Sequence, residues 1–268
     1  MTAVAGFHNP RVRAARLLGQ KKHRRERRCF LVEGPLAIEA ALDAGAGIAE
    51  VFVCPGDEHA DAVAARARAA GVEVLEVDER TLRSLADTRE PQRIVAVAPF
   101  VHREITALAD ALPARPSPCL LLVLHEIADP GNAGTLIRSA DAFGADGVAF
   151  GPAAVDVYNP KVVRSSMGSI FGVPLFAYDR WEALAEASRA AGVDVGAAAP
   201  GAPDVTTVTV PPRSALVVGN ERHGLAGIPA DGLAWRVGIP QRGRAESLNA
   251  AVAGSIALYE ISRKRSAF

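Results

Sequence analysis

The 268-residue chain is poor in cysteine and contains no long apolar run. Its three cysteines, Cys29, Cys54 and Cys119, stand far apart in apolar or strand-like settings. With no CxxC pair and no Cys/His ligand spacing, neither a disulfide framework nor a metal site is expected. No hydrophobic stretch approaches the length of a membrane span, and the N-terminus lacks a signal-peptide core, so the reading is a soluble, cytoplasmic protein with no membrane partner. The first strand–helix turn of the C-terminal half lacks GxGxxG, which argues against a nucleotide-cofactor oxidoreductase. Net charge is also missing, with 30 Lys/Arg against 30 Asp/Glu.

That balance conceals a segregation. Residues 1–30 hold nine cations (Arg11, Arg13, Arg16, Lys21, Lys22, Arg24, Arg25, Arg27, Arg28) and one acid, Glu26. A basic arm of this kind favours a polyanionic partner; a solvated helix face or a solubilising tail is the alternative.

The order of elements divides the chain. Asn9–Gln20 reads as a helix capped by Asn9 with Pro10 at its first position. Strand and helix then alternate up to Pro99: strands at 29–34, 49–54, 72–77 and 93–99, with helices between them, the last at Thr81–Ala86 with Thr81 near its cap. This is a small α/β domain with neither a phosphate loop nor an acid–base constellation, suited to binding. The three prolines in Leu112–Pro118 mark a stiff connector. The expected division is a basic N-terminal arm or helix over 1–28, a small α/β domain over 29–100, a proline-containing linker over 101–117 and a second α/β domain over 118–268.

Leu120–Gly151 organises the second domain. A buried-type strand, Leu120–Leu124, is broken by Asp129-Pro130-Gly131-Asn132. A helix carrying Leu136, Ile137, Ala140 and Phe143 follows, and then a second strand from Gly147. Further along, a helix is expected over about 159–170 and a closing helix over Ser247–Arg263. On the closing helix, Leu248, Val252, Ile256 and Tyr259 form one apolar face; Ala250, Ala253, Gly254 and Ala257 form a smooth one, suited either to close dimer packing or to packing within its own domain. Three strand ends run into polar, glycine-rich loops: Asp129–Arg138, Gly219–Leu225 and Ile239–Asn249. At the carboxyl edge of a parallel sheet such loops converge on one crevice. Singly they are weak signals, since glycine after a strand is ordinary turn chemistry and Asn, Glu or Ser near a helix start can be a cap. Taken together, their order and spacing are specific.

Together the motifs Asn132-Ala133-Gly134 with Arg138, Gly219-Asn220-Glu221 with Gly224, and Ile239-Pro240 followed by Glu246-Ser247-Leu248-Asn249 resemble the SpoU/TrmH family of SPOUT-class RNA ribose 2′-O-methyltransferases. Lys161–Gly168, leading to Val173-Pro174, is similar to a fourth family segment. More loosely, Phe30–Gly34 resembles the substrate-binding domain that precedes the catalytic domain in many members. The resemblance implies a C-terminal SPOUT-type parallel-sheet domain with a deep trefoil knot, a rare exception to unknotted connectivity. It implies S-adenosylmethionine as cofactor and a homodimer that completes the active site. Gly219, Asn220, Ile239, Leu248 and Asn249 correspond to cofactor-binding positions. Asn132, Arg138, Glu221, Ser247 and Asn249 correspond to the polar residues around the transferred methyl and the ribose. RNA contacts are expected from Arg138, Arg164 and the run Lys21, Lys22, Arg24, Arg25, Arg27 and Arg28, although a surface ion pair is the alternative for Arg164. His125 is read as a strand-end core residue. A separate N-terminal domain favours ribosomal RNA, 23S in particular, over tRNA. A non-catalytic RNA-binding or ribosome-assembly module of the same fold is the reading from another functional class.

Overall fold

A computed structural model describes residues 4–88, 90–229, 231–245 and 247–265. The chain forms two compact units, residues 1–101 with 156–172, and residues 102–155 with 173–268.

The first unit begins with α1 (Pro10–Leu17), whose cap Asn9 accepts the Arg11 N–H, and α2 (Lys21–Arg27). Then come β1 (Cys29–Glu33), α3 (Pro35–Asp43), β2 (Glu50–Val53), α4 (Glu58–Ala69), β3 (Glu73–Glu76), α5 (Glu79–Arg83) and β4 (Ile94–Pro99). The sheet order is β1-β4-β2-β3, with β4 antiparallel to both neighbours. The described part of the basic N-terminal segment is helical and packs into this unit. Val12, Ala15 and Leu18 are buried in the same core cluster as Phe52, Val95 and Val97. α5 starts earlier than expected because Asp78, not Thr81, caps it by accepting the Thr81 N–H at 2.7 Å.

The second unit opens inside the expected linker. β5 (Arg103–Glu104) pairs with a later strand, and a 3-10 turn leads into α6 (Leu108–Ala111). Ile105, Leu108 and Leu112 are buried in its core, and this apolar content is what makes the segment part of the fold instead of a connector. Next are β6 (Cys119–Leu124), α7 (Pro130–Ala142) and β7 (Gly147–Phe150). The chain then returns to the first unit for α8 (Pro160–Ser165) and α9 (Ser169–Gly172). One helix was expected here; Met167 and Gly168, at φ 51° and 90°, break it. Gly168 also lies close to Ala40 of α3, where its own Cβ would come within 2.9 Å of the alanine methyl.

Back in the second unit follow β8 (Leu175–Ala177), α10 (Trp181–Ala191), β9 (Asp194–Ala198), β10 (Arg213–Val218), β11 (Trp235–Val237) and α11 (Ala250–Arg265). The sheet is β11-β9-β10-β6-β7-β8-β5, parallel throughout. β6 is buried along its whole length, as a central strand covered on both faces must be. Chain order reverses between β6 and β10, so Leu124 and Val218 end side by side at the switch point where open α/β sheets bind ligands.

α11 runs against α7, with the Ser139 and Ser255 hydroxyls 2.7 Å apart. Of the small face read from the sequence, Gly254 and Ala257 are buried in its own unit together with Ala251, Ala250 and Ala253 are half-buried, and Val252, Ile256 and Tyr259 are 48%, 39% and 48% exposed. A Cβ on Gly254 would lie 2.6 Å from Leu136 Cδ2 and 2.9 Å from Val218 Cγ2. Gly254→Val is therefore expected to destabilise the fold by about 1–3 kcal/mol through overpacking, read as a lower urea midpoint at unchanged slope.

Candidate active site

The three polar loops meet at the carboxyl ends of β6 and β10. Asp129 caps α7, its Oδ1 accepting the Asn132 N–H at 2.9 Å. The cap places Asn132 in the first helical turn, buried, with its amide turned to the neighbouring loop. Asn132 Nδ2 donates to Glu221 Oε1 at 2.8 Å, and Asn132 Oδ1 accepts from Asn249 Nδ2 at 2.9 Å. Glu221 also accepts the backbone N–H groups of Ala128 at 3.0 Å and Asp129 at 3.1 Å. Asn249 Oδ1 accepts from the N–H groups of Ala251 and Val252, at 2.9 and 3.2 Å. One residue from each loop thus joins a single hydrogen-bonded chain, Asn249–Asn132–Glu221.

The electrostatics follow. Burial works against the Glu221 charge, but hydrogen bonds from Asn132, Ala128 and Asp129 outweigh it and hold the carboxyl below its ordinary range. A carboxylate that accepts this many N–H groups orients loops; it is not poised to take a proton.

The loop after β10 is braced by its own backbone. Asn220 and Gly224 exchange both N–H···O bonds at 2.9 Å. Asn220 Oδ1 accepts the N–H groups of Arg222 and His223, and its Nδ2 reaches the Glu126 carbonyl at 2.7 Å. The Asn220 side chain therefore builds the loop, which leaves backbone groups to meet a ligand. A Cβ at Gly219 would press on the Gly224 carbonyl oxygen, and one at Gly238 on the Ala202 carbonyl oxygen. At both glycines the protein's own backbone closes up and shapes the ends of β10 and β11, which Ile239 and Leu248, both half-buried, follow.

The other expected site residues that the structure describes take no part in this hydrogen-bonded chain. Ser247 is exposed and precedes α11, which starts at Ala250 with Asn249 as its cap, so the helix begins three residues later than expected. Glu246 lies outside the described residues. Arg138 is six positions beyond Asn132 on α7, about 120° around the helix. It is exposed, off the face that carries Asn132, and pairs with no carboxylate among the described residues. Arg164 belongs to the first unit and pairs with Asp87 at 2.9 Å, the surface ion pair that was its alternative. Arg24 is a correction. At 2% exposure it gives 2.7 and 3.1 Å bonds to Asp156 Oδ2, and it also donates to the Leu18 and Gly19 carbonyls, so it is a structural arginine and not an RNA contact. Lys21, Lys22, Arg25, Arg27 and Arg28 are exposed. His125 is buried as expected, with Nε2 2.9 Å from the Ala226 carbonyl oxygen.

Sequence reasoning misses two features. Asp129 reads there only as a strand-breaking turn residue, although Asp directly before Pro is a helix-cap signature that locates it. Glu126 sits at φ 56°, a strained position where the chain leaves β6, and nothing in a single sequence marks it.

Residues 119–259 match the SpoU rRNA Methylase family, and residues 9–96 match the MRM3-like substrate binding domain. The chain is 30% identical over 267 residues to the 23S rRNA (guanosine(2553)-2′-O)-methyltransferase RlmP of Bacillus subtilis, covering 97% of this chain and 99% of that one. It is 34% identical over 265 residues to the 23S rRNA (uridine(2479)-2′-O)-methyltransferase of Streptomyces viridochromogenes, covering 93% and 88%. The solved AdoMet-bound rRNA methyltransferase of Sinorhizobium meliloti superposes with a TM-score of 0.85 at 33% identity over 98% of both chains. With its catalytic region matched from β6 into α11 and its N-terminal unit matched separately, the chain belongs to the SpoU rRNA methylase family.

Proposed function

We propose that the protein methylates a ribose 2′-hydroxyl of 23S ribosomal RNA, in the cytoplasm, as a homodimer. The observation that carries this reading is the Asn249–Asn132–Glu221 chain, which draws the three family loops to the switch point beside the closely packed strand ends at Gly219 and Gly238. In this reading the strand-end backbone groups beside Gly219 and Ile239 form the cradle for the adenosine and methionine portions of S-adenosylmethionine. This cofactor supplies the sulfonium methyl. The protein's own residues position the ribose and stabilise the charge that forms on its oxygen. Asn132 is held by both its neighbours and orients what binds beside it. Asn220 and Glu221 keep the loop shaped, while Ile239, Leu248 and Asn249 close the cradle. Ser247 lies next to them, exposed and within reach of substrate.

Arg138 shares α7 with Asn132, yet its own protomer does not present it to Asn132. It sits on α7 beside α11, whose exposed stripe Val252, Ile256 and Tyr259 continues to Phe143, 5.4 Å from Tyr259 between ring centroids. A second copy covering that stripe takes Arg138 into its own site. Arg138 then binds a phosphate and stabilises the forming alkoxide, since a guanidinium keeps its proton far above neutral pH. The trefoil knot is also part of this reading. The Ala199–Val205 loop is bound to the end of β11 through Gly238, and Lys264 of α11 donates to the carbonyls of Val205 and Val208 at 2.7 and 2.8 Å. Both interactions suit a C-terminus threaded beneath that loop. No helix among the described residues is long and apolar enough to cross a membrane.

The test is methyl transfer from labelled S-adenosylmethionine to unmodified 23S rRNA and, separately, to tRNA, mapped by resistance to alkaline cleavage. Label at one ribose of 23S rRNA is the expected result. Label in tRNA alone would replace the substrate, and no label with no cofactor binding would leave a non-catalytic RNA-binding module.

RNA affinity is assigned to α2. Neutralising Lys21, Lys22, Arg25 and Arg27 together is expected to weaken RNA binding and to flatten its salt dependence by about 0.7–0.9 in log–log slope for each phosphate no longer neutralised. Cofactor affinity should not change. An unchanged slope would remove α2 from the interface.

A further inference from the structure

α2 ends in an unusual way. Its C-terminal cap, Arg28, lies in the left-handed region at φ 51°, ψ 38°, a helix-terminating position that glycine or asparagine takes with less strain. The strain holds the arginine over a ring. The Arg28 carbonyl accepts the Phe100 N–H at 2.8 Å, and the guanidinium carbon is 5.5 Å from the centroid of the Phe100 ring. The Phe100 ring in turn stacks on Tyr158, with 4.0 Å between centroids and 8° between planes. Behind Tyr158, Phe30 lies 4.6 Å away between centroids, and Phe171 stacks on Phe30 at 5.9 Å.

The pile is fixed from below. Tyr158 is buried, its hydroxyl accepting the Val101 N–H at 3.0 Å and its own N–H donating to Asp156 Oδ1 at 3.1 Å. The second oxygen of Asp156 is held by buried Arg24, so the middle of the basic helix and its C-terminal cap are tied to the same network. Upward from that base the order is buried tyrosine, half-buried phenylalanine, exposed arginine. An exposed cation–π pair stabilises a fold only slightly, which does not account for a strained arginine where glycine would serve. A rigid aromatic tier tipped by a planar cation, on a helix of further exposed cations, is instead suited to an RNA base. Bases within a duplex are already stacked on both faces; an unpaired base offers a free π-face, whichever of the four it is.

We infer that Arg28 and Phe100 form a stacking site for one unpaired base of the RNA substrate, with Lys21, Lys22, Arg25 and Arg27 serving its flanking phosphates. The inference rests on the RNA-methyltransferase reading above. It names the single-stranded element the N-terminal unit grips.

The test compares binding of the full-length protein to a short oligoadenylate and to an abasic ribose-phosphate strand of equal length, so that phosphate attraction cancels in the ratio. The wild type is expected to prefer the base-bearing strand by about 5- to 100-fold, the range of one base stacked on aromatic or guanidinium surface. Arg28→Gly and Phe100→Leu should each bring the ratio toward one. Arg28→Lys should keep affinity for the abasic strand while losing the preference. Arg28→Gly should leave the thermal midpoint unchanged or higher, because it relieves the left-handed strain, so its lost preference is not a folding defect. A wild-type ratio of one, or variants that keep the wild-type ratio, would overturn the stacking site. An intact preference with no methylation of 23S rRNA and no cofactor binding would overturn the enzyme reading instead and leave the stacking site standing.

Discussion

Arg138→Ala is expected to lower methyl transfer by about 10²–10³-fold, the range for removing one preorganised donor from a developing oxyanion, while leaving S-adenosylmethionine affinity and the thermal midpoint near wild type. The side chain is exposed, and the cofactor cradle is built from other elements. Arg138→Lys should retain part of the activity if charge is what matters, and less of it to the degree that the two-pronged grip on phosphate matters. The sharper result comes from mixing. In this protomer Arg138 faces away from the Asn249–Asn132–Glu221 chain, so a shared site predicts that two inactive variants complement each other. Arg138→Ala refolded with Glu221→Ala forms mixed dimers in which one site has its own intact Glu221 and the partner's intact arginine. Random pairing then restores roughly a quarter of wild-type activity, because half the dimers are mixed and each has one complete site. Activity no higher than the sum of the two variants alone would place Arg138 at its own protomer's site and would require α7 to rearrange on substrate binding.

Most of the second unit was legible because its signals are local and agree with one another. Leu120–Leu124 is continuously apolar and becomes the central strand; Gly192 ends α10 in the left-handed conformation at φ 65°; the three motif loops do converge. The errors share a cause: a long-range contact decides what local pattern cannot. Leu112–Pro118 reads as a spacer by its prolines, but Ile105 and Leu108 just before it are buried, which draws the whole segment into the fold. Asp156–Gly172 reads as part of the catalytic domain by position, yet Asp156 answers Arg24, 132 residues earlier, and Tyr158 completes an aromatic cluster with Phe30 and Phe100. Arg24 shows the same limit from the other side. Six cations within eight residues look alike in sequence, and only the half-buried Asp156 carboxylate, 132 residues on, reveals that one of them is structural. The smooth face of α11 was legible as a packing surface, but not its partner. Leu136 and Val218 of its own unit fill it, and the bulkier Val252, Ile256 and Tyr259 are left outward.

Glu221→Ala is expected to cost more than activity, because the carboxylate is what the other loops are fastened to. Its removal strips partners from Asn132 Nδ2 and from the Ala128 and Asp129 N–H groups. Hydrogen bonds to a charged group contribute about 1.5–3 kcal/mol each when buried. Glu221 is largely exposed, so water recovers much of that, and a fall of a few degrees in the thermal midpoint is the expected size. Function should suffer further. Once released, Asn132 no longer holds Asn249, the start of α11 loosens, and both the cofactor cradle and the ribose site lose their shape. Methyl transfer is expected to fall by about 10²-fold or more, since misplacement of the order of 1 Å is that costly, and cofactor affinity should fall with it, unlike in Arg138→Ala. Glu221→Gln separates shape from charge: an amide oxygen at the Oε1 position still serves Asn132 and Asp129, but the amide NH₂ then faces the Ala128 N–H, so the glutamine variant should lie between alanine and wild type. The pH dependence has a definite sign. The folded pKa of Glu221 is depressed, so its contribution is fully present above the ordinary glutamate value of about 4.3 and is lost as pH falls through the lower folded value. The wild-type thermal midpoint should therefore drop more steeply across that acidic window than the midpoint of Glu221→Gln. Parallel curves for the two proteins would mean that the carboxylate is not the fastening point of the three loops.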